Sequence, residues 1–206
     1  VAGGMWNTVS GNYSIAGGGT SNAVSGDNAG VASGYSNVAS GKYSFVGGGS
    51  FAVASGENAV VGGGGLNNAS HIYSTVGGGA QNTASGQSAT VAGGFQNDGS
   101  GRASVVSGGK DNTASGFAAA VLGGSANTAA AQYAVTGGGY ANTANDTYAA
   151  IFSGFQNVAT GYKSVIAGGN RNTVSAGQGG ILTGQDNVIS SSYSVIGGGW
   201  DNSISS

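Results

Sequence analysis

The sequence predicts an all-β fold, a parallel β-solenoid of fifteen-residue coils, about 13–14 in number. Three observations predict it: a fifteen-residue register that never slips, two glycine-rich clusters in each repeat, and short β-forming segments between them. Counting Asn7 as slot 1, steps of fifteen reach Asn22, Asn37, Ala52, Asn67, Asn82, Asn97, Asn112, Asn127, Asn142, Asn157, Asn172, Asn187 and Asn202, so thirteen of fourteen are Asn. Slot 13 is Gly in all thirteen complete repeats, Gly49, Gly94 and Gly124 among them. Slot 10 is Val or Ile in eleven of the thirteen. Residues 1–206 therefore read as one repeat array without a linker, and both ends fall inside a repeat, as in a segment of a longer array.

The elements follow in order within each repeat. The consensus is close to NTASGxYSxVxGGxx. Ser-Gly at slots 4–5 and Gly-Gly at slots 12–13 are turn signals, since Gly reaches positive φ without steric cost. A first strand is expected over slots 7–11, as in Tyr43-Ser44-Phe45-Val46-Gly47, and a second over about slots 14–3, as in Ala141-Asn142-Thr143-Ala144. Helix is excluded by the glycine density and by the lack of a 3.6-residue period. Stacked coils lie about 4.8 Å apart. An Asn column (Asn37, Asn82, Asn112) can then hydrogen-bond along itself and to the turn backbone, while the Gly column keeps one special backbone conformation.

Alternation on the first strand points slots 8 and 10 inward and slots 7, 9 and 11 outward. Slot 9 nevertheless carries Phe45, Val60, Val105, Val135, Val165 and Val195 and no charge anywhere. An outward stripe this apolar predicts a subunit seam. A coil interior of one Val or Ile plus Ala and Ser is thin, which also favours association.

Composition limits the chemistry. Only 12 of 206 residues are charged and the net charge is −2, so a basic nucleic-acid surface is excluded. Without cysteine there is no disulfide or zinc-thiolate site. No run of 18 apolar residues is present, so this segment is not expected to insert in a membrane. His71, the single histidine, stands at slot 5 where Gly is usual and reads as a turn substitution. Asp186 and Asp201 share slot 15 on neighbouring coils and are the one stacked acid pair a glycosidase could use, but a tolerated rim pair is the plainer reading. Asp98 and Asp111 lack a motif, the acids are too few for a calcium repeat, and the Gly runs are not followed by the Lys-Ser/Thr of a phosphate loop. No catalytic residue, metal or cofactor is expected.

Two features could contact a ligand. Slot 14 places Tyr35, Phe95, Tyr140, Phe155 and Trp200 on a rim where rings can stack on sugars or anchor a protein, although rings that cover the adjacent turn or a subunit seam are the plainer reading. The slot 7 tyrosines (Tyr13, Tyr43, Tyr73, Tyr133, Tyr148, Tyr193) are expected as seam packing with a wet hydroxyl. Slot 2 offers a partial Thr ladder, consecutive only at Thr113, Thr128 and Thr143, of the kind an ice-binding face would need.

The stretches Tyr193-Ser194-Val195-Ile196-Gly197-Gly198 and Lys163-Ser164-Val165-Ile166-Ala167-Gly168 resemble the NSVAIG motif of YadA-type heads in trimeric autotransporter adhesins. Gly109-Lys110-Asp111-Asn112-Thr113-Ala114-Ser115-Gly116 resembles that family's GxxSxAxG half, with one extra residue per coil and Asn in place of Ser or Ala. Similar repeats occur in tail-fibre-like proteins. The resemblance implies a left-handed β-roll, a homotrimer, and a place outside the cell, on an outer-membrane-anchored surface protein or a virion. The function expected is a non-enzymatic structural or adhesive fibre or head segment whose partners are itself and a glycan or host protein. The alternative is a monomeric or filament-forming β-solenoid with a structural or ice-binding role.

Overall fold

The computed structural model describes residues 1–205, which form strands and turns and contain no helix. The chain is a parallel β-solenoid of about thirteen coils. It divides into two compact units, Val1–Ala103 and Ser104–Ser206.

In the first unit, slots 2–3 form one parallel ladder from Thr8–Val9 to Asp98–Gly99, and slots 9–10 form another from Ile15–Ala16 to Thr90–Val91. The second unit repeats the arrangement, with ladders from Thr113–Ala114 to Ser203–Ile204 and from Val105–Val106 to Val195–Ile196. Within these ladders each strand residue pairs with the one fifteen further on, as in Thr128↔Thr143 and Ala150↔Val165. Slot 14 adds a third ladder of single parallel bridges, Met5↔Thr20 through Ala80↔Phe95 in the first unit and Lys110↔Ser125 through Gln185↔Trp200 in the second.

The strands are therefore shorter than the four or five residues expected. Slots 7 and 15 interrupt them, because every described residue there is left-handed, from Trp6 (φ 56°) and Tyr13 (φ 56°) to Tyr193 (φ 60°) and Asp201 (φ 56°). None of these residues is Gly, and none is Val, Ile or Thr. A left-handed L-residue costs roughly 1–2 kcal/mol, and a β-branched one is excluded more strongly. The reversal redirects hydrogen bonds between coils. The Thr20 N–H donates forward to Gly34 (2.9 Å), whereas the next N–H, of left-handed Ser21, donates backward to Met5 (2.9 Å). At slot 7, the Asn28 N–H likewise donates backward to Asn12 (2.8 Å).

Slots 1, 3, 8 and 10 supply the interior of each coil, as in Asn142, Ala144, Ala149 and Ile151, all buried. The inward placement of slots 8 and 10 matches the alternation in sequence. The largest fully buried side chains are Ile and Val, with no ring among them. Aromatic side chains stand on the edges instead.

Candidate functional site

The Asn and Gly columns form the frame that positions every edge. The Asn142 Oδ1 accepts from the Asn157 backbone N–H (3.0 Å) and Nδ2 (3.1 Å) of the next coil. Its own Nδ2 donates to the carbonyls of Gly138 (2.9 Å) and Gly154 (2.9 Å). Asn82 makes the same set, donating to Gly78 (3.0 Å) and Gly94 (2.9 Å) and accepting from Asn97. Asn37 donates to Ser33 (3.1 Å) and Gly49 (3.0 Å), and Asn112 to Gly108 (2.9 Å) and Gly124 (3.0 Å). The slot 13 glycines are left-handed, Gly49 at φ 94°, Gly94 at φ 96° and Gly124 at φ 81°. A Cβ at Gly49 or Gly124 would overlap the glycine carbonyl one coil on.

On the slot 14 edge, Tyr35, Phe95, Tyr140, Phe155 and Trp200 are all exposed, but they do not form one continuous surface. Tyr140 stacks on Phe155 with centroids 5.2 Å apart, and Tyr35 meets Phe51 of slot 15 edge-on at 5.3 Å. The Trp200 indole N–H instead donates to Asp186 (3.3 Å).

Asp186 is also gripped by Arg171 through two bonds of 2.7 Å and accepts from the Gln185 amide (3.0 Å). Hydrogen bonds from Arg171 and Gln185 hold its carboxyl well below the usual carboxylate range. That is opposite to the raised value a general acid needs, so Asp186 is the acceptor of an ion pair reaching back one coil. His71 accepts the Ile72 N–H at Nδ1 (2.9 Å) within its own turn. Among the described residues, no group of three or more His, Cys, Asp or Glu could hold a metal. No helix among them is long and apolar enough to cross a membrane.

On the slot 9 face, Phe45, Val105 and Val195 are exposed in the single chain, while Val60, Val135 and Val165 are half-buried between neighbouring coils.

Sequence reasoning took the slot 7 tyrosines as seam packing and passed over the edge they make with slot 6. In the second unit Phe117 meets Tyr133 edge-on (5.5 Å), Tyr133 stacks on Tyr148 (4.9 Å), and Tyr148 meets Tyr162 (6.1 Å). The Lys163 ammonium lies over Tyr162 at 5.0 Å. In the first unit slot 7 alternates, Tyr13, Asn28, Tyr43, Asn58, Tyr73, while slot 8 alternates Ser14, Ala29, Ser44, Ala59, Ser74. This thirty-residue superperiod is a sequence signal in its own right.

The chain matches no family model and no curated protein.

Proposed function

We propose that the chain is a non-enzymatic fibre or head segment of an extracellular surface adhesin or tail-fibre-like protein. In this reading it is a left-handed β-roll that assembles as a homotrimer along its slot 9 face and presents its edges to a surface ligand. One observation carries it: an outward ladder without a single charge, exposed at Phe45, Val105 and Val195. Apolar ladders of this length are rarely left uncovered in monomers. The resemblance of the repeats to YadA-type heads supports three as the number of chains. The low charge and the absence of a catalytic constellation among the described residues support a mechanical and binding role over turnover. Three identical sets of edges would then give avidity from individually weak contacts.

The mass in solution tests this reading. Three copies of a 19.4 kDa chain give about 58 kDa by sedimentation equilibrium. A stable monomer at micromolar concentration would end it and favour the second reading, a monomeric solenoid with a structural or ice-binding role. The in-register ladder Thr113, Thr128 and Thr143 is the observation that favours that alternative.

A further inference from the structure

The geometry points to a row of clefts for neutral pyranose sugars along the slot 6–7 edge, walled by tyrosines two coils apart and floored by an amide. The inference deepens the ligand-presenting half of the function proposed above and does not depend on the number of subunits.

Spacing is the first argument. Tyr133 and Tyr148 lie on adjacent coils, and their rings stack at 4.9 Å, closing on each other. Tyr13 and Tyr43 are two coils apart, so an equivalent stack leaves them roughly 10 Å apart. A ring placed midway would sit about 5 Å from each wall, within the range of offset stacking. Between these walls Asn28 offers only an amide, and the cleft, of about 490 Å³, is completed by Asn12, Asp27 and Lys42. The next interval, Tyr43–Asn58–Tyr73, repeats the order.

The second unit builds the same kind of cleft differently. Tyr162 and Tyr193 flank Gly177, with Gln178 and Ser192 completing an opening of about 180 Å³. Gly177 is not left-handed, and a Cβ there would meet only ordinary contacts, the nearest being the Tyr162 carbonyl at 3.6 Å. The backbone does not require glycine at this position. What glycine provides is the opening between two tyrosines.

The lining selects the ligand. A pyranose has an apolar C–H face that packs on an aromatic ring and a rim of hydroxyls that need both donors and acceptors. Asn28 and Gln178 supply both. The Asp27 carboxylate is held in place by the Asn12 N–H (2.8 Å), and Lys42 lies over the Tyr43 ring at 4.9 Å. One acid and one base beside the same cleft give no net charge to draw an acidic polymer, so the sugar is neutral. The left-handed backbone at slot 7 aims each ring outward, with Tyr43 47% exposed and Tyr73 55%.

The test is binding of the intact chain to immobilised oligomers of glucose, galactose, mannose, N-acetylglucosamine and N-acetylgalactosamine, followed by calorimetric titration of the best binder. Binding at the first-unit clefts should weaken at least tenfold in the combined variant Tyr13→Ala, Tyr43→Ala, Tyr73→Ala, which leaves the Tyr162–Tyr193 cleft in place. Gly177→Asn, which places at slot 6 the residue Asn12 already supplies there, should weaken the second-unit cleft alone, with an unchanged thermal midpoint as the folding control. Tyr140→Ala with Phe155→Ala should leave binding intact. No binding by the unaltered chain would overturn the inference, as would binding lost only in the slot 14 variant. A trimeric mass with no sugar binding would overturn the clefts while leaving the assembly reading intact. A monomer that binds sugar would do the reverse.

Discussion

At the scale of single residues, the Asn column does work that no apolar residue could. Each buried Asn offers one carbonyl oxygen and one NH2, and in this frame those groups meet five partner atoms, as at Asn142. Asn142→Ala would leave the Gly138 and Gly154 carbonyls and the Asn157 donors short of partners in a buried place. Each unmet buried polar group costs about 1–3 kcal/mol, so a clear fall in the thermal midpoint is expected. Ala52 is a natural gap in the column, fully buried at 0% exposure, and its own N–H still donates to Asn37 (3.0 Å). Ala52→Asn should restore the ladder between Asn37 and Asn67 and add about 1 kcal/mol. A denaturant midpoint that falls in the Ala52 variant would show that the column is not the stabilising element claimed.

At the scale of the turn, two adjacent glycines make opposite predictions. Gly124 is left-handed at φ 81°, and a Cβ there would overlap the Gly139 carbonyl. Gly123, one residue earlier, has open space around an added Cβ and no positive φ. Gly124→Ala should therefore abolish cooperative unfolding or soluble expression, whereas Gly123→Ala should be near neutral. Equal tolerance of the two would refute the close-stacking account. Slot 15 carries a pH-dependent contact as well. The Arg171 guanidinium holds Asp186 below its ordinary value of 3.8. A depressed carboxyl pKa contributes stability above the unfolded value, and that contribution disappears as pH falls through the folded one. Because the pair is exposed, the effect on stability should be slight. The carboxyl titration seen by NMR is the sharper measure, and Arg171→Gln should return Asp186 towards 3.8.

At the scale of the whole molecule, solenoid coils contact only their neighbours, so stability accumulates coil by coil. Interior apolar bulk per coil is mostly one Val or Ile at slot 10 with an Ala, Val or Ile at slot 3, joined in some coils by an Ala at slot 8, as in Ile166 with Ala159 and Ile151 with Ala144 and Ala149. That modest interior is the physical reason a partner on slot 9 matters to the proposed assembly. Val135→Asp together with Val165→Asp places two charges on that ladder without touching the interior. The expected outcome is a shift of the sedimentation mass from about 58 kDa towards the 19.4 kDa chain, with the β circular dichroism retained. An unchanged mass would move the seam to another face.

The sequence by itself determined the period, the parallel register, the inward slots 8 and 10, and the Asn and Gly columns. Stacking converts a repeat in the chain directly into a column in space, so positions such as Asn82 and Gly94 could be read without coordinates. Tertiary structure decided where the strands break. The left-handed turns at slots 7 and 15 are occupied by Tyr, Asn, Ser, Lys and Ala alike, and the sequence marks them only by the absence of β-branched residues, because hydrogen bonds to the preceding coil select that conformation. Those turns in turn decided which side chains meet across coils. Asp186 pairs with Arg171 rather than standing beside Asp201 as an acid dyad, and the aromatic rings gather on the slot 6–7 edge as well as on slot 14. Which of two stacked neighbours a side chain reaches depends on backbone direction at its own coil, and a one-dimensional repeat does not carry that direction.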